Sequence, residues 1–329
     1  MMKTTTLTRR TTLGLIGGGA LSLVTTPRAA RAADAPMTLA TATGNIQGTL
    51  VVPDGAGPFP VVVIIAGSGP TDRDGNSRLG VKTDAYKLLA VALAAGGIAS
   101  LRYDKRLIAA SIVPDMNQSN LRFEMYAADA AGWVQLLARD SRFRHVFIAG
   151  HSEGSLLGML AAETAPVSGY VSLCGSGRPA YAILHDQLAA GISADQLAQA
   201  DAVMAKLRAG QLVPDVPQGP VLGPLFSASI QPYLISWFKY DPAVEIAKLR
   251  CPTLIIGGTA DVQVPPHEAE ILKAAAPRAR LLIIDGMSHV LKHVAGTAQA
   301  QQIPAYTDPS LPIEPAVVTA IAALVRAAA

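Results

Sequence analysis

Pro60-Val61-Val62-Val63-Ile64-Ile65-Ala66 is an unbroken apolar run dominated by β-branched residues. It lacks the polar alternation of a strand wetted on one side. A run of this kind belongs to a strand buried on both faces, the environment of a parallel sheet covered by helices. Further strands are predicted at Ile98–Tyr103, Val146–Ala149, Tyr170–Cys174, Pro252–Ile256 and Leu281–Ile284. Helix-spaced segments separate them: Ala85–Ala95, closed by Gly96-Gly97, then Leu121–Ala138, Ser152–Glu163, a stretch near Pro266–Ala276, and Pro312–Ala328. Thr38–Thr43 and Ile46–Val52 read as a hairpin about Gly44-Asn45. Such alternation specifies an α/β class, with a mostly parallel twisted sheet and helices on both faces.

The rhythm breaks once. Gly175–Arg250 separates two adjacent strand signals, and a connection that long carries structure of its own. Helical patterns at Ala180–Ala190, Ala194–Ala209 and Ile230–Phe238 mark residues 176–250 as an inserted helical cap on a core of 36–175 and 251–329. Aromatic residues are only 5% of the chain, yet Tyr233, Trp237, Phe238 and Tyr240 gather in the cap. Tyr233, Trp237 and Phe238 are candidates for the wall of an apolar acyl pocket, or for the glue between cap and core.

Residues 1–35 read differently. Arg9-Arg10 precede a short apolar run, Leu13–Val24, and Ala30-Arg31-Ala32 offers a small-x-small cleavage site. The pattern is that of a cleaved secretory signal of twin-arginine type. Its apolar run is too short for the roughly 20 residues of a membrane span. Export to the periplasm or beyond is the expectation. Within the signal, residues 1–32 carry Lys3, Arg9, Arg10, Arg28 and Arg31 and no acid, so without them the bases, 27 in the whole chain, fall below the 24 acids. No basic stripe is left to neutralise phosphates, and no nucleic-acid partner or membrane contact of the mature chain is expected. Cys174 and Cys251 fall at opposite ends of neighbouring parallel strands, beyond the ~7 Å Cα reach of a disulfide. Both are expected as buried thiols. No Cys/His cluster has zinc-ligand spacing, and no cofactor is expected.

The chemistry collects where the strands end. In Ala149-Gly150-His151-Ser152-Glu153-Gly154, Ser152 stands between a strand and a helix. Glycines on either side suit a sharp turn that holds a serine hydroxyl out at the carboxyl edge of the sheet. A serine hydroxyl is a weak nucleophile without a base. His289 lies in the short loop after the last core strand, on the same edge, whereas His145, His151, His185, His267 and His293 are read as misplaced or misdirected. Asp261, after the strand Pro252–Ile256, is the best carboxylate to orient that base. Asp285 and Asp104 are its rivals. The backbone N–H groups of Ser68 and Glu153 are the candidate donors to a developing oxyanion. The charges of Asp72-Arg73-Asp74 and Asp104-Lys105-Arg106 are read as an ion-pair network that ties strand-end loops together, with Glu153 a candidate to join it.

The segments Ala66–Asn76 (AGSGPTDRDGN), Leu101–Arg106 (LRYDKR), Ala149–Ser155 (AGHSEGS), Ser236–Pro242 (SWFKYDP), Gly257–Pro265 (GGTADVQVP) and Gly286–Lys292 (GMSHVLK) together resemble the α/β-hydrolase superfamily. Within it they resemble a bacterial carboxylesterase branch grouped near serine aminopeptidases. The resemblance implies Ser152 as nucleophile, Asp261 as acid, His289 as base, and a small-molecule acyl ester as substrate. Amides and thioesters are the alternatives, and a non-catalytic binder of an apolar ligand beneath the cap is another. One departure stands out: where the family continues Asp-Lys-Arg with a glycine-rich turn, this chain has Leu107-Ile108-Ala109-Ala110.

Overall fold

The computed structural model describes residues 34–328. The expected signal lies outside the described residues, apart from Asp34 and Ala35, which begin the first strand. The strands are β1 (Asp34–Thr41), β2 (Gly44–Val51), β3 (Phe59–Ile65), β4 (Asn76–Ser77), β5 (Val81–Lys82), β6 (Ala99–Tyr103), β7 (Phe143–His151), β8 (Gly169–Leu173), β9 (Thr253–Gly258) and β10 (Arg280–Ile284). The helices are α1 (Ala85–Ala95), α2 (Phe123–Ala138), α3 (Glu153–Thr164), α4 (Ala180–Ala189), α5 (Ala194–Arg208), α6 (Leu222–Leu225), α7 (Gln231–Trp237), α8 (Pro242–Lys248), α9 (Pro266–Ala275), α10 (Gln299–Thr307) and α11 (Pro315–Ala328). No described helix is long and apolar enough to cross a membrane.

Eight strands form one sheet in the order β1-β2-β6-β3-β7-β8-β9-β10. β1, β2 and β6 pair antiparallel, and every pairing from β6 onward is parallel. The apolar run that predicted a doubly covered strand is β3. Val61, Val63 and Ile65 pack in one core with Trp133 of α2 and Leu157 of α3. Val62 and Ile64 pack in the other core with Leu89 and Leu93 of α1 and Ile321 and Leu324 of α11. All five β3 side chains are essentially inaccessible, and each contributes roughly 1.5–3 kcal/mol through burial. Helices α4 to α7 gather a separate apolar cluster that includes Ala200, Met204, Leu207, Phe226, Leu234 and Phe238.

The chain runs from β3 outward to β6, returns across β3 to β7, and continues outward to β10. The crevice at the carboxyl ends of β3 and β7 is therefore the point of topological reversal, where open α/β sheets bind ligands.

Some local expectations are corrected. The first hairpin turns at Ala42-Thr43, with Thr41 paired to Gly44, two residues earlier than Gly44-Asn45. Thr41 Oγ1 donates to the Gly44 carbonyl at 2.5 Å, which ties the turn at that position. The small β4–β5 hairpin and helix α10 carried no legible pattern. Cys174 is a buried free thiol as expected, but Cys251 is only half-buried.

Candidate active site

β7 ends at His151, α3 starts at Glu153, and Ser152 between them has φ 53° and ψ −120°. A non-glycine residue in that region carries about 1–3 kcal/mol of strain. The surroundings hold it there. Ser152 N–H donates to the Leu173 carbonyl of β8 at 2.9 Å, and its own carbonyl accepts from Ser155 N–H at 2.9 Å. A Cβ on Gly150 would strike the Gly154 carbonyl, and one on Gly154 would strike the Ile65 carbonyl of β3. Both glycines are therefore required by contact between backbones, as the sequence suggested.

Asp261 and His289 arrive on the loops after β9 and β10, on the same edge as Ser152. Asp261 is buried. Its Oδ1 accepts the backbone N–H groups of Gln263 and Val264, each at 2.9 Å, and its Oδ2 accepts His289 Nδ1–H at 2.8 Å. Burial raises the carboxyl pKa, but the imidazole and the two N–H donors outweigh it and hold the group below the usual carboxylate range. Because Asp261 is ionised it can only accept, so Nδ1 of His289 carries a proton and Nε2 is the ring nitrogen not engaged by Asp261. The loop bearing His289 is held by Ser288, whose N–H and Oγ–H both donate to the Lys292 carbonyl, at 2.9 and 2.8 Å. His289 pairs with neither rival carboxylate. Asp285 accepts from Thr259 Oγ1, and Asp104 binds Arg73. His293 starts no helix. It bridges Met287, and its Nδ1 bonds Glu314 at the surface.

Ser152 sits at the seam of two cavities. One, of about 300 Å³, is lined by Gly67, Ser68, Tyr86, His151 and His289 together with the β4–β5 hairpin. The other, of about 400 Å³, lies against helices α4, α6 and α7 and is bounded by Ser68, Glu153, Leu156, Ile183, Leu234 and Trp237 among others. Tyr233 also lines the larger cavity. Trp237 stacks on Phe123 of α2, with ring centroids 5.6 Å apart and planes 8° from parallel, so pocket wall and glue are the same residue. Phe238 lines neither cavity and packs edge-on against Tyr181 within the cap cluster. Ser68 and Glu153 both border the larger cavity with Ser152, and neither backbone N–H donates to an acceptor among the described residues.

Two site residues escaped the sequence reading. His151 was expected to point away, yet its ring faces that of His289, with centroids 4.7 Å apart. His151 Nε2 lies 2.7 Å from the His289 carbonyl, which can only accept, so Nε2 carries the proton. Nδ1 then accepts from the Tyr86 hydroxyl at 2.8 Å, and the Tyr86 oxygen accepts Gly67 N–H at 3.1 Å. Burial, reinforced by His289, pushes the His151 pKa down to about 3, so this ring is neutral. Burial also pushes the Tyr86 phenol well above its ordinary range. Among the described residues, the one His/Cys/Asp/Glu group close enough to share a metal ion is His151, Cys174 and His289. Both nitrogens of His151 and Nδ1 of His289 are already committed, so the set is a poor ligand shell.

Most of the motif charges are held in ion pairs. Arg73 forks onto Asp104, Arg102 reaches Asp74 and Asp34, Arg106 meets Asp129, and Lys105 meets Glu153. In the segment where glycines are the family habit, Leu107 (φ 63°) and Ala109 (φ 44°) occupy the left-handed region that glycine adopts without strain. Ser111 secures this turn by donating its hydroxyl to the Asp104 carbonyl at 2.8 Å.

Esterase EstD of Thermotoga maritima is 30% identical to this chain over 255 residues, which cover 75% of this chain and 58% of that protein. The chain thus spans less than two thirds of that relative. Among solved structures, a thermophilic esterase from Thermogutta terrifontis superposes with a TM-score of 0.54 at 18% identity, covering 90% of this chain and 99% of that one. The proline iminopeptidase of Mycobacterium smegmatis gives 0.56 at 13% identity, covering 89% and 98%. At these identities the likeness is one of fold. A model of the alpha/beta hydrolase family matches residues 62–300, from β3 through the loops bearing Ser152, Asp261 and His289. With the strand reversal, the strained serine turn and the family match all falling on the same segments, this chain belongs to the alpha/beta hydrolase family.

Proposed function

We propose that the protein is a serine hydrolase that cleaves carboxylic esters through an acyl-enzyme. The observation that carries this reading is the alignment at one sheet edge: an imidazole 2.8 Å from a buried carboxylate, sharing a cavity with a serine held in a strained turn. Ser152 Oγ attacks the ester carbonyl carbon and passes its proton to His289 Nε2. Asp261 keeps the ring in the required tautomer and stabilises the imidazolium. The N–H groups of Ser68 and Glu153 receive the oxyanion. The tetrahedral intermediate then collapses, and the alcohol leaves with the proton from His289. Water repeats the sequence on the acyl-enzyme and restores the serine.

Proton delivery also orients the substrate. The departing oxygen must lie within reach of His289, so the alcohol portion takes the smaller cavity that His289 lines. The acyl chain takes the larger cavity beneath the cap, whose walls are mostly apolar. An aminopeptidase would need a free carboxylate to hold the substrate ammonium. The carboxylate bordering the acyl cavity is Glu153, and Lys105 already neutralises it, which favours esters over aminoacyl amides. The basic pair and apolar run within residues 1–35 extend the proposal to an exported enzyme.

The test is covalent labelling. A fluorophosphonate probe labels the wild type and fails on Ser152→Ala, and nitrophenyl esters turn over faster than aminoacyl nitroanilides. Equal labelling of both proteins removes Ser152 from the mechanism, and faster turnover of the anilides replaces the substrate class.

A further inference from the structure

We propose that Lys105 is a positioning residue that aims the Ser68 oxyanion donor, an inference that rests on the ester-hydrolase reading above. Lys105 follows β6, and its side chain is 2% exposed. Its ammonium donates to the Gly67 carbonyl at 2.6 Å and to Glu153 Oε1 at 2.7 Å, and lies 5.0 Å from the centre of the Tyr126 ring. A buried ion pair contributes little net stability once both ions have been desolvated. What this pair supplies is direction.

The Gly67 carbonyl and the Ser68 N–H belong to one planar trans peptide, so they point to opposite sides. Gripping the carbonyl oxygen therefore fixes where the Ser68 N–H points. It faces away from the ammonium, and Ser68 borders both cavities that meet at Ser152. The preceding peptide is fixed as well, because Gly67 N–H donates to Tyr86 Oη. Gly67 is thus held on both sides, by a phenol and by an ammonium. A cation on the carbonyl also polarises the amide and strengthens its N–H as a donor, since hydrogen bonds in series reinforce one another. Glu153 closes the arrangement. Its carboxylate neutralises the ammonium, while its own N–H is the second donor, so both halves of the oxyanion site meet at one lysine.

The experiment compares Lys105→Met, Glu153→Gln and the double variant with the wild type, using a nitrophenyl ester. Lys105→Met alone leaves a carboxylate buried without a partner and is prone to misfold. The double variant removes both charges and is read against Glu153→Gln. Loss of one oxyanion donor costs about 100- to 1,000-fold in kcat. A donor that is present but misdirected is expected to cost about 30- to 100-fold, with KM changed less than about threefold. Affinity for a trifluoromethyl ketone, which forms an oxyanion adduct on the serine, falls by a similar factor. A double variant whose kcat stays within about threefold of Glu153→Gln overturns the proposal. So does a loss of kcat with ketone affinity unchanged, the mark of a purely structural role. Failure of the underlying reading has its own signature, a Ser152→Ala enzyme as active as the wild type.

Discussion

Mild acid should destabilise this protein through His151, a residue that the proposed chemistry never protonates. In the folded state its imidazole is buried, and its pKa is pushed from the ordinary 6.5 to about 3. The unfolded chain takes up that proton near pH 6.5, while the folded chain refuses it until about pH 3. Between these values the unfolded state binds more protons. The stabilisation is therefore complete above the unfolded value and is lost as the pH falls, at about 1.4 kcal/mol per unit. At about pH 5, roughly 1.5 units into this window, the loss is about 2 kcal/mol. Urea denaturation at about pH 7.5 and about pH 5, on the wild type and on His151→Gln, isolates the contribution. The glutamine carboxamide retains a donor for the His289 carbonyl and has no proton to gain in this range. The wild type should lose about 2 kcal/mol more than the variant over that span. Losses that agree within about 0.5 kcal/mol would refute a buried neutral imidazole at this position.

Asp261→Asn should keep its fold, because the amide oxygen can still accept from Gln263 and Val264. It should lower kcat by about 10⁴-fold, because the amide N–H₂ favours the wrong tautomer of His289. Retention of more than about a tenth of the wild-type kcat in steady-state assays would remove Asp261 from its role. Trp237 and Phe238 are neighbours with different duties. Trp237→Ala opens the acyl cavity and should shift the kcat/KM optimum toward longer nitrophenyl esters. Phe238→Ala should leave that optimum in place and cost about 3 kcal/mol in denaturant titrations. Matching shifts from the two variants would contradict the assignment of the cavity walls.

The sheet was legible because a strand buried on both faces has a composition that little else explains, as in Val61–Ile65. The placement of Ser152, Asp261 and His289 at one edge was legible for a related reason: each lies in the turn or loop after a strand of the parallel sheet, and its sheet edge follows from the strand direction. His151 and Tyr86 were not. Their roles depend on rotamers and on a contact between residues 65 positions apart, and a lone histidine in a glycine turn carries no signal of direction. The β4–β5 hairpin was hidden because two-residue strands have no periodicity to read. Phe238 was grouped with Tyr233 and Trp237 on composition alone. Helical phase separates them, since Tyr233 and Trp237 are four apart and share a face, while Phe238 falls about 100° further round. Of the charge-rich motifs, Arg73 and Asp104 tie the two loops together as read, while Arg106 takes its partner, Asp129, from α2, because desolvated ions must find partners.

The chain of donors from Gly67 through Tyr86 and His151 to the His289 carbonyl joins the loop after β3 to the loop after β10. In the proposed reaction these two loops would flank the scissile bond, and a linked floor would not part on one side to admit a reactant. Under that reading admission and product escape would fall to chain segments outside that linkage. Leu79, at the bend between β4 and β5, is 79% exposed and lines both chambers. An oily side chain left wet at the rim of both chambers would be a first contact for an apolar substrate of the proposed reaction.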